Sequence, residues 1–243
     1  AAFSVLLLIA TVTAQSDGIS GCGGSVKVSQ GILNVIGKKP NFSNLSVSLL
    51  TSDGVVQEQT VCSPQGFFFI PLYDIGEYEL VVSKEEGWSV SPSSFHISMN
   101  EEGSVLGCEE QREFEITGFR IRGHAHNKQS KSSVKGVQVT LFSQDGRGLK
   151  TVETDAEGNY TFDNVLSGEY TLKADHPSWV LALPVERSIS IGFGSVEVEE
   201  DFIVSGFKIT GVVENRSGKH SLNDIQMILK REDEAVERSE ERR

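Results

Sequence analysis

The residues that could do chemistry are few and widely spaced. His124 and His126 alternate along an extended stretch, so both imidazoles face one side of a strand, and two nitrogens at that spacing could share a metal ion. No third ligand stands beside them in the chain and no HExxH spacing occurs, so a solvated strand face is the favoured reading and no metal is assigned. His96 and His220 stand apart, and His176 precedes Pro177 in a stretch that reads as a turn. Cys22, Cys62 and Cys108 show no CxxC spacing, which argues against a zinc set. In an oxidising compartment two of the three would pair, and spacing leaves open which two. Carboxylates are numerous, but they gather in turns such as Asp155-Ala156-Glu157 and in the run Glu197-Val198-Glu199-Glu200-Asp201, which reads as solvated surface. A glycosidase pair needs two carboxyls held across a cleft, and nothing in this distribution announces one. Nucleophile elbow, P-loop and dinucleotide fingerprints are absent from the sequence. The residues therefore give no catalytic set and no cofactor site, and the chain reads as not an enzyme.

Two binding chemistries stay open. Trp88 and Trp179 are the natural candidates for stacking on a sugar face, although their recurrence at one repeat position favours an architectural role for the rings. Asn41-Phe42-Ser43, Asn44-Leu45-Ser46, Asn159-Tyr160-Thr161 and Asn215-Arg216-Ser217 fit the N-glycosylation acceptor rule, so Asn41, Asn44, Asn159 and Asn215 are possible glycan sites in a lumenal protein. The apolar run Ala1–Ala10 followed by Val12-Thr13-Ala14 reads as a signal peptide over residues 1–14 that is shortened at its start. A formal charge of −12 repels phosphate backbones and argues against nucleic acid as a partner.

The elements that must carry these residues emerge when the chain is laid against itself. Asp53-Gly54, Gly66 and Gly76-Glu77-Tyr78 recur as Asp145-Gly146, Gly158 and Gly168-Glu169-Tyr170 at a constant offset of 92, and Trp88 recurs as Trp179 one residue early. A third copy begins where Gly118-Phe119-Arg120-Ile121 is echoed by Gly206-Phe207-Lys208-Ile209 at an offset of 88. Within a copy, Val137, Val139 and Leu141 alternate with Gln138 and Thr140, the period of a half-buried strand. Asp145-Gly146 and Asp155-Ala156-Glu157-Gly158 supply turns, and Tyr160 with Phe162, then Tyr170 with Leu172, aim at one face. Ser188–Ile191 and Val196–Phe202 close the copy. The reading is all-β: tandem antiparallel sandwiches of about seven strands, prealbumin-like or immunoglobulin-like. Module 1 is placed at 15–117, module 2 at 118–205, and a truncated third start at 206–243. The charged tail of that third start, from Arg231, is expected to be disordered or helical only through partners. The consecutive Phe67, Phe68 and Phe69 cannot all face one way; a ring that misses the strand's inner face is expected to pack under a loop or against the neighbouring module as extra core, a ligand platform being the less favoured alternative.

Gly158-Asn159-Tyr160-Thr161-Phe162 with Gly168-Glu169-Tyr170, and Gly66-Phe67-Phe68-Phe69 with Gly76-Glu77-Tyr78, resemble the transthyretin-like and carboxypeptidase regulatory-like modules of the carbohydrate-binding-like fold. Gly21-Cys22-Gly23-Gly24, the stretch Phe67–Asp74, Gly87-Trp88-Ser89, Ile116-Thr117-Gly118-Phe119, Gly136-Val137-Gln138-Val139 and His176-Pro177-Ser178-Trp179 are similar, in collinear order, to the N-terminal lumenal region of the nodal modulator (NOMO) family. That resemblance implies a long endoplasmic-reticulum glycoprotein of many lumenal sandwiches with one C-terminal membrane helix. It also implies partners of the nicalin and TMEM multipass type beside the translocon, and a non-catalytic scaffold role. A carbohydrate-binding module is the competing expectation.

Overall fold

The computed structural model describes residues 20–83, 86–108, 110–214, 227–231 and 234–238. The signal segment 1–14, Asn215 and His220 lie outside the described residues.

Alternation builds the molecule. Val137, Val139 and Leu141 are buried while Gln138 is exposed between them, and Tyr160 and Phe162 are buried on one side of their strand. Strands of this kind pair as β1 (Gly21–Val28), β2 (Ser46–Thr51), β3 (Val56–Val61), β4 (Phe67–Pro71), β5 (Gly76–Ser83), β6 (Ser89–Ser91), β7 (Ser94–Met99), β8 (Val105–Leu106) and β9 (Arg112–Asn127). Beyond them come β10 (Gln138–Ser143), β11 (Gly148–Glu153), β12 (Asn159–Val165), β13 (Gly168–Asp175), β14 (Trp179–Leu181), β15 (Glu186–Ile191), β16 (Val196–Glu197) and β17 (Phe202–Phe207). One sheet runs β3-β2-β5-β7-β8 and another β11-β10-β13-β15. The third sheet, β14-β17-β9-β1-β4 with β6, β12 and β16 also on β9, belongs to both modules. Phe95 of β7 meets Phe114 of β9 edge to face at 4.9 Å, joining two sheets through the first core.

β9 is a single strand with two duties. Its first half runs parallel to β1, from Gly24↔Arg112 to Val28↔Ile116, and closes the first sandwich. Its second half pairs antiparallel with β12 and parallel with β17 at Phe202↔Ala125, and opens the second. The expected boundary at 117/118 falls inside this strand, so no linker separates the modules.

The repeated glycine has one cause in both copies. Gly66 and Gly158 hold φ of 95° and 77°. A Cβ added at either would collide with the backbone carbonyl of the adjoining strand, at Val26 and Ala125 respectively. Each instead passes a hydrogen bond across that approach, Val26 N–H to Gly66 O and Ala125 N–H to Gly158 O, both 2.8 Å. The Gly-x-Tyr element repeats too: the Tyr78 hydroxyl donates to Asp74 O at 2.9 Å and Tyr170 to Leu166 O at 3.1 Å, pinning the loop four residues upstream.

Four features depart from the sequence expectation. A short helix, α1 (Gln30–Ile36), interrupts the all-β pattern; Ile32, Leu33 and Ile36 turn to the core at helical spacing, and left-handed Gly37 stops it by donating its N–H to Leu33 O. Phe68 is buried, but Phe67 and Phe69 remain 56% and 51% exposed, so they do not enlarge the core. Period 2 sends them to the outer face, and no loop or module covers them among the described residues. Residues 207–243 form a second compact unit. There β18 (Ile228–Arg231) pairs antiparallel with β19 (Glu234–Arg238), and β19 puts paired extended backbone in the tail from Arg231, where charge density had suggested disorder or helix. The repeated Trp88 is a plug, but at the module junction: its ring is 6% exposed and meets Phe119 and Phe193 edge to face at 5.5 and 5.0 Å. Around it Ser195 Oγ donates to Glu86 O at 3.1 Å, and Leu166 packs on Gly31 of α1.

Cys22 and Cys108 form the disulfide, with Cα atoms 5.5 Å apart, and tie β1 to the approach to β9. Cys62 is buried and unpaired, and burial pushes its thiol up to about 11. Closing a loop of 86 residues restricts the unfolded chain strongly. Cys108→Ser is expected to lower stability by about 2–5 kcal/mol in chemical denaturation. In the native protein at pH 8, well below the raised value, Cys62 stays almost wholly protonated, so iodoacetamide should label it only after unfolding. Trp88→Ala should cost about 3–5 kcal/mol, the range for emptying a large aromatic site, and calorimetry should show the two sandwiches losing their joint melting.

Candidate functional site

Three ionisable side chains converge on the outer face of β9. Ile121, Gly123 and Ala125 turn inward, which sends Arg122, His124 and His126 to the other face. The segment after β16 returns across that face before entering β17, and its last residue, Asp201, meets both histidines. Asp201 Oδ2 lies 3.0 Å from His124 Nδ1 and 2.9 Å from His126 Nδ1. The imidazoles stack with centroids 6.2 Å apart and planes 23° from parallel. His124 Nε2 lies 2.9 Å from Glu157 O and 3.1 Å from Ser133 Oγ, while His126 Nε2 is buried without a hydrogen-bond partner. One ligand atom from each of the three residues can be chosen so that all lie within 4.8 Å of one another, the only group of three or more His, Cys, Asp or Glu so disposed among the described residues. The histidine pair therefore gains a third group that local spacing could not show, because Asp201 is 75 residues beyond His126. The one signal in the chain was the acidic run 197–201, read as solvated surface.

Arg187 steadies the neighbourhood. Its guanidinium lies 5.2 Å above the Phe202 ring, approaches Glu200 at 3.2 Å, and donates from Nη2 to the Asp201 carbonyl at 3.3 Å. The Asp201 backbone is thus held from one side while its carboxylate serves the histidines.

The other sequence-derived residues are scattered. Trp88 has its ring enclosed by Phe119 and Phe193 and presents no face to a sugar. Trp179 is half-buried on β14, one face stacked on the His176 ring at 3.9 Å and 12°. His176 Nδ1 accepts the backbone N–H of Ser178 and of Trp179, each at 3.1 Å, which fixes the turn. Asn41 and Asn44 are exposed, and Asn41 Oδ1 is engaged with the Ser43 backbone N–H and hydroxyl. Asn159 is half-buried in β12, its N–H donated to Asp155 Oδ1 at 2.8 Å. Surface depressions are open: one is lined by Phe142, Ser143, Thr171 and Lys173, another by Glu86, Arg120, Arg122 and Ser195. No helix among the described residues is long and apolar enough to cross a membrane.

A different surface stands out for its apolar character. β4 ends its sheet, and it carries Phe67 and Phe69 outward, followed by exposed Tyr73 and Ile75. Gly21 on β1 lets the Phe69 ring lie against the backbone, where any Cβ would strike it.

Comparison with known proteins meets this geometry at the shared strand. The model of the second β-sandwich domain of BOS complex subunit NOMO1-like proteins matches residues 116–205, and that of the first domain matches residues 31–116. BOS complex subunit NOMO1 of Homo sapiens is 28% identical over 231 residues, 93% of this chain and 18% of its own length. The Mus musculus NOMO1 is 29% identical over 94% of this chain and 18% of its own. Nicotinic receptor-associated protein 4 of Caenorhabditis elegans is 24% identical over 84% of this chain and 17% of its own. The chain thus spans less than a fifth of the length of these relatives. The two matches adjoin at Ile116, inside β9, where one sandwich hands its strand to the next, and the chain belongs to the NOMO1-like family.

Proposed function

We propose that this chain is a non-catalytic, lumenal part of a membrane-protein assembly, a rigid pair of sandwiches that presents one apolar edge to a partner. The observation that carries the reading is the outward aromatic set on β4. Two rings of about 200 Å² each, roughly half exposed, leave about 200 Å² of apolar surface whose burial is worth about 5 kcal/mol. Edge strands with exposed apolar side chains are a liability unless a partner covers them. Such an edge suits β-strand addition, in which backbone bonds give affinity and alternate side chains give selectivity.

Relatives named as subunits of the BOS complex support the assembly role. The family resemblance extends it to multipass partners of the nicalin and TMEM type at the endoplasmic reticulum, with the chain on the lumenal side. The Cys22–Cys108 bond suits that side, since disulfides form and persist in oxidising compartments. Asn41 and Asn44 are exposed enough for a glycan there, and Asn159, inside a strand, is the poorer acceptor. The sugar-binding alternative loses support from the enclosure of Trp88 and from the His176 ring on one face of Trp179.

Affinity capture of integral-membrane proteins from detergent-solubilised endoplasmic-reticulum membranes tests the reading with the full chain as bait. Phe67→Ser/Phe69→Ser should fold normally, because both rings are outside the core, and should lower recovery about tenfold or more, as expected for loss of aromatic anchors. Equal recovery by both baits would remove the β4 edge from the interface. Recovery of no membrane protein by either would overturn the assembly role.

A further inference from the structure

We propose that His124, His126 and Asp201 form a binding site for a divalent transition-metal ion of the zinc class. The three side chains already bring one ligand atom each to within 4.8 Å of one another. One carboxylate oxygen faces two Nδ1 atoms at 3.0 and 2.9 Å, so without a cation both must be N–H donors. The other nitrogen of His124 faces the Glu157 carbonyl oxygen at 2.9 Å, which accepts and cannot donate. His124 Nε2 is thus committed to that carbonyl, which leaves Nδ1 as the nitrogen free to turn from the carboxylate to an ion. His126 Nε2 is buried without a partner, so whichever group its Nδ1 serves, carboxylate or ion, the second ring nitrogen stays unpaired.

A divalent cation among the two Nδ1 atoms and Oδ2 would replace the two Nδ1 protons, with His126 then carrying an Nε2 proton that has no acceptor. Both Nδ1 lone pairs and the carboxylate then point at the ion, and neutral His124 keeps its proton on Nε2, donated to Glu157 O. That is the usual supporting arrangement for a metal-ligating histidine, with the second ring nitrogen bonded to a carbonyl. The Ser133 hydroxyl, 3.1 Å from the same nitrogen, lies beside it. Ligand bonds of about 2.0–2.1 Å in a tetrahedron separate ligand atoms by about 3.4 Å, so the Nδ1–Oδ2 gaps would open by a few tenths of an ångström within a group whose ligand atoms lie within 4.8 Å of one another. Two imidazoles and one carboxylate are borderline donors that suit zinc better than calcium or magnesium, which favour all-oxygen sets. The three side chains are 30%, 16% and 33% exposed, which admits an ion from solvent and leaves room for a water as fourth ligand. Bound there, the ion would staple the start of β17 onto β9, two strands otherwise joined at this end by the short parallel register Phe202↔Ala125 to Val204↔Asn127.

Titration of the metal-free full chain with zinc, followed by calorimetry, tests this, with cobalt absorption reporting coordination. One saturable site is expected, with Asp201→Asn and His126→Gln each weakening it by more than the roughly 10–100-fold that loss of a supporting partner costs, and His96→Gln leaving it unchanged. Absence of saturable binding, or binding that survives both substitutions, would overturn the proposal. Should those variants fail to fold, nitrogen NMR of the native imidazoles decides. Zinc must move the Nδ1 resonances of His124 and His126 and leave His124 Nε2 protonated, and unmoved resonances reject the site.

Discussion

The structure depends on β9 being one uninterrupted strand. Sixteen residues in extended conformation reach about 50 Å, far enough to finish one sandwich and begin another. Because its backbone groups are committed to β1 and β6 on the first half and to β12, β16 and β17 on the second, the strand cannot bend at Thr117–Gly118 without breaking ladders in both modules. A flexible tether would let two domains move independently; a shared strand makes their relative placement part of the fold.

The residues around the junction follow from that constraint. Where β9 crosses from one core to the other, its alternation places Phe119 inward, and the gap at the end of the first sandwich needs a large ring. Trp88 supplies it and meets Phe193 of the second module in the same contact. Arg120, on the opposite side of β9, bonds Asp163 at 2.7 Å and approaches Glu86 at 3.6 Å. The exposed Glu86 pair adds little energy and serves mainly as register. Parallel pairing of β1 with β9 and of β9 with β17 is the same relation one module apart, so β17 is to the second sandwich what the first half of β9 is to the first.

The same topology creates the histidine cluster. Parallel pairing requires a long return, and the chain between β15 and β17 has to cross the outer face of β9 to make it. Asp201 stands at the point where that return rejoins the sheet, and Arg187 fixes its backbone there. The carboxylate meets two histidines whose spacing is set by the pleat. A structural requirement of the sandwich thus assembles a polar site on a surface that would otherwise be ordinary.

Much was legible in the chain alone. The period-2 burial of Val137, Val139 and Leu141, the turn at Gly66 and Gly158, the Gly-x-Tyr pin and the repeat of about ninety residues are local or self-similar features, and they determined an all-β tandem architecture and the family. Local rules also placed His124 and His126 on one face. They could not choose among three cysteines, foresee that Phe67 and Phe69 stay outside, or find Asp201, because each of those depends on which segments the sheet brings together across 75 residues or more or on what fails to cover an edge. The helix Gln30–Ile36 was missed for a related reason: seven residues carry too little periodicity to be distinguished until a core exists for Ile32 to enter. Sequence fixes which faces are apolar, whereas the return path of the chain decides which polar groups end up sharing one.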